Sequence, residues 1–426
     1  MVARVGDVKT VAVIGSGISG LTAAWLLSQR YRVTLFEKDN RLGGHTHTQR
    51  VSTRTGEVDV DTGFIVHNRE NYPGFCRLMA ALGVDTCESD MSFAASGVAL
   101  PWCSRGLSGA FTQRSHFLSP RFYAFWAEVI RFNLSAQRLL MKTSSENPSL
   151  GEFLRAHRFS EDFRENYLWP MAGAVWSTSP LDMDAFPART MIQFFENHGM
   201  LGFTTQRPWR TIRGGTSRYI APMVRAISGE VVTSAKEAYV RRTDKGVTVS
   251  VNGKGSAPFD DVVLAVHGDQ VLSVLADPSE LEREVFGAFG SHANPATLHT
   301  DVSVMPKQRR AWASWNYRPL DTRERLGLTY HMNRLQPLPT NDDVFVTLHA
   351  GHSVAADKVT SVTPYEHPRF DARAVEAQGK WALVSGAHSL HGRTHFAGAY
   401  WASGFHEDGV KSALRAAESL GVSWPP

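Results

Sequence analysis

Thr10-Val-Ala-Val-Ile14, Gly15-Ser16-Gly17-Ile18-Ser19-Gly20 and Leu21-Thr-Ala-Ala-Trp-Leu-Leu27 follow one another without a gap. A short apolar run, a G-x-G-x-x-G turn and a helical apolar pattern, in that order, supply what a dinucleotide pyrophosphate needs: a tight turn, bare backbone and a helix N-terminus aimed at negative charge. A second strand-like run, Tyr31-Arg-Val-Thr-Leu-Phe36, ends on Glu37, about 20 residues after the turn, where a ribose-binding acid belongs. A carboxylate there accepts from ribose hydroxyls and repels a 2′-phosphate, which disfavours NADP and leaves FAD and NAD.

The residues around this unit bound the remaining choices. The chain has 426 residues, 42% of them hydrophobic, and a formal net charge of +4. That is ample for a globular core and too mild a charge to argue for nucleic acid, for which no motif is present. Cys76, Cys87 and Cys103 are the only cysteines, an odd number without C-x-x-C spacing, so neither a disulfide framework nor a zinc site is expected and a reducing cytoplasm fits. The first ten residues run directly into the apolar strand, leaving no room for a signal peptide, and no apolar stretch approaches the roughly 20 residues of a spanning helix. The expectation is a cytoplasmic protein that is soluble or peripheral on the inner membrane. His388, His391 and His395 cluster in sequence, but without a second run of ligands no metal is expected.

Glu37-Lys38-Asp39-Asn40-Arg41-Leu42-Gly43-Gly44-His45 resembles the E-x-x-x-R-x-G-G-R/H segment of the flavin amine oxidase, protoporphyrinogen oxidase and phytoene desaturase superfamily. The resemblance implies FAD, held by Gly15, Ser16, Gly17, Ile18, Ser19, Gly20, Glu37, Lys38, Arg41, Gly43, Gly44, His45 and Thr46. Arg41 can reach a phosphate bidentately, and the glycine pair lets backbone N–H groups approach the cofactor. Covalent flavin attachment through His45 or His47 is a minor alternative. Near the C-terminus, Gly398-Ala-Tyr-Trp-Ala-Ser-Gly404-Phe-His-Glu-Asp-Gly409 resembles the superfamily's flavin motif and adds Tyr400, Gly404, Phe405, His406 and Glu407. Glu237 and Ala238 fall where the family passes the adenine. The same motif, with Asp61-Thr-Gly63-Phe64 and Asn68, looks most like a bacterial group of predicted FAD-binding proteins associated with cyclopropane-fatty-acid-synthase-type methyltransferases. Asp61 is equally readable as a flavin-side residue or as a local turn.

These signals imply an α/β fold: a Rossmann-type FAD-binding domain of the glutathione-reductase and amine-oxidase kind, with an interleaved substrate domain of mixed sheet and helices. The cofactor domain is expected from 1–90, 207–270 and 380–426, and the substrate domain from 91–206 and 271–379. A helix is expected to start near Pro120 with Ser119 as N-cap; its arginines beside bulky aromatics suit either a bilayer interface or a buried helix with snorkelling cations. The segment 167–177 breaks the helical pattern with Pro170 and Gly173 among large apolar residues and suits the wall of a pocket for a long apolar substrate. The segments 295–301 and 310–317 read as adjacent strands.

No second G-x-G-x-x-G follows a strand, so the reducing equivalents are expected to come from the organic substrate rather than from NAD(P)H. The expected activity is FAD-dependent removal of hydride from an apolar substrate, in particular desaturation of methylated or cyclopropanated fatty acyl chains, with phospholipid and a fatty-acid methyltransferase as the partners that the resemblance implies. Phe64, Trp176, Tyr317 and Trp401 are the expected pocket residues, with Tyr400 beside the flavin ring. No base stands out among Glu196, His299, Tyr317 and Glu407. Amine oxidases of the superfamily place a lysine near the flavin; no secure equivalent is present. The rivals are an amine or polyamine oxidase and a non-catalytic FAD-binding partner of a lipid methyltransferase.

Overall fold

The computed structural model describes residues 8–141, 148–176, 180–197, 199–201, 207–319, 326–351 and 353–424. Val11, Ala12 and Val13 of the opening strand, Thr10–Ile14, are fully buried, which requires cover on both faces and suits the middle of a parallel sheet. That strand lies at the centre of five parallel strands, in the order Val231–Val232, Arg32–Phe36, Thr10–Ile14, Asp261–Leu264 and Thr394–Phe396. Helices Ile18–Leu27 and His406–Ser419 pack side by side in one of the cores against this sheet. The opposite core joins the sheet to an antiparallel meander, Tyr239–Thr243, Gly246–Val251 and Lys254–Phe259.

The second unit is built on seven strands, in the order Val359–Arg369, Gly290–His299, Phe345–Leu348, Leu326–His331, Trp315–Pro319, Phe93–Ala95 and Trp102–Cys103. Its largest core lies between this sheet and a helical layer led by Pro120–Met141. That helix starts where the sequence places it, with Ser119 Oγ 3.3 Å from the Phe122 N–H.

Three expectations need correction. The segments 295–301 and 310–317 contribute to one sheet, but strands Phe345–Leu348 and Leu326–His331 separate them. The second crossing into the substrate unit comes near Gly290 rather than at 271, because Val271, Leu275, Val285 and Phe286 pack into the core of the parallel sheet; Ala374 and Ala377 return to that core before 380. The described part of the segment 167–177, which ends at Trp176, does not break the helix. Residues Arg164–Leu168 form one π turn, in which the Trp169 N–H reaches the Arg164 carbonyl, and Trp169–Trp176 continues as α-helix. Pro170 has no N–H to offer the carbonyl four residues back. That carbonyl, of Asn166, instead accepts from Trp102 Nε1 at 2.7 Å, while Asn166 Oδ1 accepts from the Leu100 N–H at 2.9 Å. A wider turn with tertiary partners absorbs the proline.

Asp61 ties the units together. Its fully buried carboxylate accepts from Thr48 Oγ1 at 2.5 Å, Thr216 N and Oγ1 at 2.9 and 2.8 Å, and Gln336 Nε2 at 2.6 Å. Burial raises its pKa to about 7, against the hydrogen bonds that lower it. It is therefore a joint between the Gly214-Gly215 turn, the Thr48–Thr53 strand and the substrate unit, not a local turn residue. Asp61→Ala would leave a buried backbone donor and an amide unpaired, and chemical denaturation should show a loss of about 3 kcal/mol or more. A loss under about 0.5 kcal/mol, the scale of a neutral surface change, would contradict this role.

Candidate functional site

One cavity of about 2330 Å³ opens where the carboxyl ends of the parallel strands face the seven-stranded sheet. A single small-molecule site typically takes roughly 300–1,000 Å³, so this volume has room for a cofactor and a second ligand together. The three glycines of the turn divide the work at its cofactor end. A Cβ on Gly15, which has φ +99°, would lie 2.6 Å from the Ala265 carbonyl oxygen, and one on Gly20 would lie 1.8 Å from that of Gly15. A Cβ on Gly17 would meet nothing within 4 Å. Two glycines thus let the strand and helix close together, and the third leaves bare backbone facing the cavity at the positive end of a ten-residue helix.

Glu37 stands beside them, 7% exposed, accepting from Ser16 N at 2.8 Å, Ser16 Oγ at 2.6 Å and Asp39 N at 2.9 Å. Gly44, with φ +57°, would bring a Cβ to 3.1 Å from Gly17 Cα, so the glycine pair closes the far side of the cradle. Gly15, Ser16, Gly17, Ile18, Ser19, Glu37, Lys38, Arg41, Gly44 and His45 all reach the wall. Glu237, in a left-handed conformation with φ +52°, and Ala238 reach it as well. Gly20, Gly43 and Thr46 stay behind this surface as packing residues. The C-terminal motif arrives from the other end: Tyr400, Gly404, Phe405 and His406 line the cavity at the start of helix His406–Ser419.

A plane of rings is built across this second end. Phe64 and His406 stack with centroids 3.6 Å apart at 9°, and His406 Nε2 lies 3.0 Å from Thr46 Oγ1. Burial pushes His406 down to about 3 and, with neighbouring charges, holds His45 well below the ordinary histidine range. His45 stacks on Tyr365 at 4.9 Å and on His267 at 5.7 Å, with His367 at 5.5 Å. All of these rings face the cavity, and the buried His45 Nε2 has no hydrogen-bond partner among the described residues. Open space at Gly17, an orphaned nitrogen at His45 and a helix N-terminus at each end fit the expected FAD. Among the described residues no group of three or more His, Cys, Asp or Glu is placed to hold a metal ion.

Several expected site residues lie elsewhere. Glu407, expected to bind cofactor or act as base, turns away from the cavity and accepts from the Gly74 and Phe75 N–H groups at 3.1 and 2.9 Å, capping helix Pro73–Ala81. His299 is fully buried in the seven-stranded sheet; its Nδ1 accepts from Asp301 N and its Nε2 meets Thr347 Oγ1 at 2.7 Å, so it is a structural histidine. Tyr317 is buried under the helical layer, and Trp401 packs on Phe286 and Phe289 in the core of the cofactor unit; neither is a wall residue. Glu196 sits half-buried on helix Ala188–Asn197, off the wall. Phe64 and Tyr400 line the cavity, and the side chain of Trp176 lies outside the described residues.

The wall also contains residues that sequence reasoning missed. Trp315, two positions before Tyr317 on the same strand, reaches the cavity and meets Tyr330 edge-on at 4.8 Å; the two are directly opposed across strands Trp315–Pro319 and Leu326–His331. An aromatic residue two before Tyr317 was a usable signal for Trp315, whereas Tyr330 depends on a pairing that the sequence does not display. Met91, Phe93, Trp126, Tyr167, Met171 and Ala174 extend this apolar arm between sheet and helices.

A family model described as flavin containing amine oxidoreductase matches residues 18–301. Coproporphyrinogen III oxidase of Staphylococcus aureus (strain NCTC 8325 / PS 47) is 26% identical over 183 residues, 40% of this chain and 37% of that protein. The chain thus spans little more than a third of that curated relative's length. Among solved structures, a putrescine oxidase variant with redesigned cofactor binding superposes with a TM-score of 0.68 at 15% identity, over 97% of this chain and 99% of that one. A CLA-producing fatty acid isomerase from P. acnes does so with a TM-score of 0.63 at 16% identity, over 95% and 97%. At these identities the two superpositions establish the shared fold.

Proposed function

Because the chain belongs to the flavin containing amine oxidoreductase family, and is an FAD-dependent oxidoreductase, we propose that its substrate is a long acyl chain from which hydride is removed. The observation that carries this reading is the apolar arm of the cavity, walled by Met91, Phe93, Trp126, Tyr167, Met171 and Ala174. A hydrocarbon is held by shape and buried area, which these six side chains supply, whereas a charged amine would lose solvation against them and would have to be held by the carboxylates of Glu88 and Asp90 on the same wall. Among the described residues, Lys38 is the one lysine on the wall, and it lies at the cofactor end beside Glu37. The likeness of the C-terminal motif to methyltransferase-associated proteins favours a methylated or cyclopropanated chain, esterified in phospholipid or free.

When bound, the flavin supplies the hydride-accepting ring. The residues of the chain orient and desolvate. Gly17 and the helix behind it fix the phosphate end, Phe64 and His406 present a flat face at the other end, and the aromatic arm excludes water from the substrate. Burial keeps the imidazoles of His45, His267 and His367 in the neutral form and opposes their protonation, so they present uncharged rings to the cavity.

Anaerobic mixing of the holoprotein with methylated phospholipids, unsaturated fatty acids or putrescine, followed by flavin absorbance, tests the reading. Bleaching by lipid, with a product lighter by two hydrogens, is expected. Within a homologous acyl series, each added methylene should tighten binding about fourfold, the equivalent of about 0.8 kcal/mol, until the arm is filled. Bleaching by putrescine alone would make the protein an amine oxidase instead, and a flavin that no organic donor reduces would favour a non-catalytic binding role.

A further inference from the structure

The helix Pro120–Met141 carries apolar side chains on two opposite faces. Phe122, Phe125, Val129, Phe132 and Ala136 are buried against the substrate unit. Tyr123, Ile130, Leu134 and Met141 are 51, 49, 50 and 75% exposed. These four positions, seven, four and seven residues apart, fall within about 20° of a single line along a helix roughly 33 Å long. Just before them, Phe117 and Leu118 are 54 and 89% exposed. Half of the large apolar side chains most exposed to solvent, among the described residues, therefore lie between 117 and 141. A concentration of this kind marks a binding surface rather than ordinary surface scatter.

Charge says what that surface meets. Residues 101–141 contain five arginines, Arg105, Arg114, Arg121, Arg131 and Arg138, and one acid, Glu128. Arg121 is paired with Asp162 and Arg131 with Glu128, so the positive charge that this segment offers to an anionic surface comes from Arg105, Arg114 and Arg138. No helix among the described residues is long and apolar enough to cross a membrane, so such a face lies on a bilayer rather than through it.

The same surface leads into the cavity. Phe117 stacks on Phe111 with centroids 4.2 Å apart at 5°, and Phe111, Tyr123 and Arg105 are wall residues. An aromatic path thus runs from the exposed platform to the apolar arm.

We propose that the exposed apolar side chains between 117 and 141, flanked by Arg114 and Arg138, form a docking platform for anionic phospholipid bilayers, which seats the cavity mouth on the lipid and lets an acyl chain enter past the touching rings of Phe111 and Tyr123. The proposal rests on the acyl-chain reading above for its purpose, but the platform itself is testable without turnover.

The experiment is co-sedimentation of the holoprotein with vesicles of phosphatidylcholine alone or mixed with phosphatidylglycerol. Binding to the mixed vesicles, weakened by salt, is expected. Leu118→Asp with Ile130→Asp should lower the partition coefficient about tenfold or more, and Arg114→Glu with Arg138→Glu should do so for the anionic vesicles alone. All four positions are exposed, and flavin absorbance and melting temperature should match those of the parent protein. Absence of binding to either vesicle would overturn the proposal. So would variants that bind like the parent, or burial of this face in a dimer that does not bind lipid. Bleaching by acyl substrates in detergent micelles, measured separately, would then still decide the acyl-chain reading.

Discussion

Gly17→Val is expected to give a folded but colourless protein. The new side chain enters space that the fold leaves open, so circular dichroism and melting temperature should change little. It occupies the place where the dinucleotide's phosphates approach the backbone, and FAD affinity should fall roughly 100-fold, the equivalent of about 2.7 kcal/mol. Gly20→Ala should do the opposite damage. Its Cβ would sit 1.8 Å from the Gly15 carbonyl oxygen, inside backbone that cannot yield, and destabilisation of about 3 kcal/mol or more is expected. Reconstitution with FAD followed by absorbance, beside denaturant unfolding of the apoprotein, separates the two outcomes. A yellow Gly17→Val protein with parental affinity would remove the turn from the cofactor site.

Stability should also fall steeply in mild acid. His67, His299 and His406 are 1, 0 and 9% exposed, and burial lowers them to about 4, 4 and 3. In the unfolded chain each titrates near 6.5. As pH falls below 6.5 the unfolded state takes up protons that the fold refuses, so the three groups together withdraw up to about 4 kcal/mol per pH unit until their folded values are reached. The buried Asp61 carboxyl, raised to about 7, takes up a proton in the fold over the same range and offsets about one of the three. That leaves a net loss of up to about 2.7 kcal/mol per pH unit against total stabilities of the order of 5–15 kcal/mol, so the unfolding midpoint should fall steadily from pH 6.5 towards pH 5. His67→Phe, at a position whose Nδ1 has no partner among the described residues and whose ring packs edge-on against Phe75, should lower the slope by about one proton. Denaturation midpoints from pH 8 to pH 4.5 measure it, and a flat profile down to pH 5 would refute the assignment.

The parts of this architecture that are legible in the chain are those set by local backbone. The spacing of Gly15, Gly17 and Gly20, the acid at Glu37 and the pair Gly43-Gly44 each satisfy a constraint that acts over a few residues, and the cofactor cradle follows from them. Side chains whose role depends on a distant partner were not readable. An acid in the first turn of a helix can face a ligand or a neighbouring helix, and Glu407 took the neighbour, the N-terminus of Pro73–Ala81. Tyr330 reaches the wall only because its strand pairs with that of Trp315. Asp61 was ambiguous because its donors lie 13, 155 and 275 residues away. Pro170 followed its local rule, but the indole of Trp102 satisfied the carbonyl that the proline abandoned.

The π turn at Arg164–Leu168 has a consequence for the phase of the wall beyond it. Each helical residue advances the azimuth by about 100°, so the one surplus residue in that turn sets which azimuth Met171 and Ala174 occupy. Excising a single residue there would restore a regular spiral and rotate both side chains roughly a quarter-turn out of the cavity, with Pro170 again facing a carbonyl it cannot serve. The shape of this side of the cavity is thereby tied to an insertion of length one.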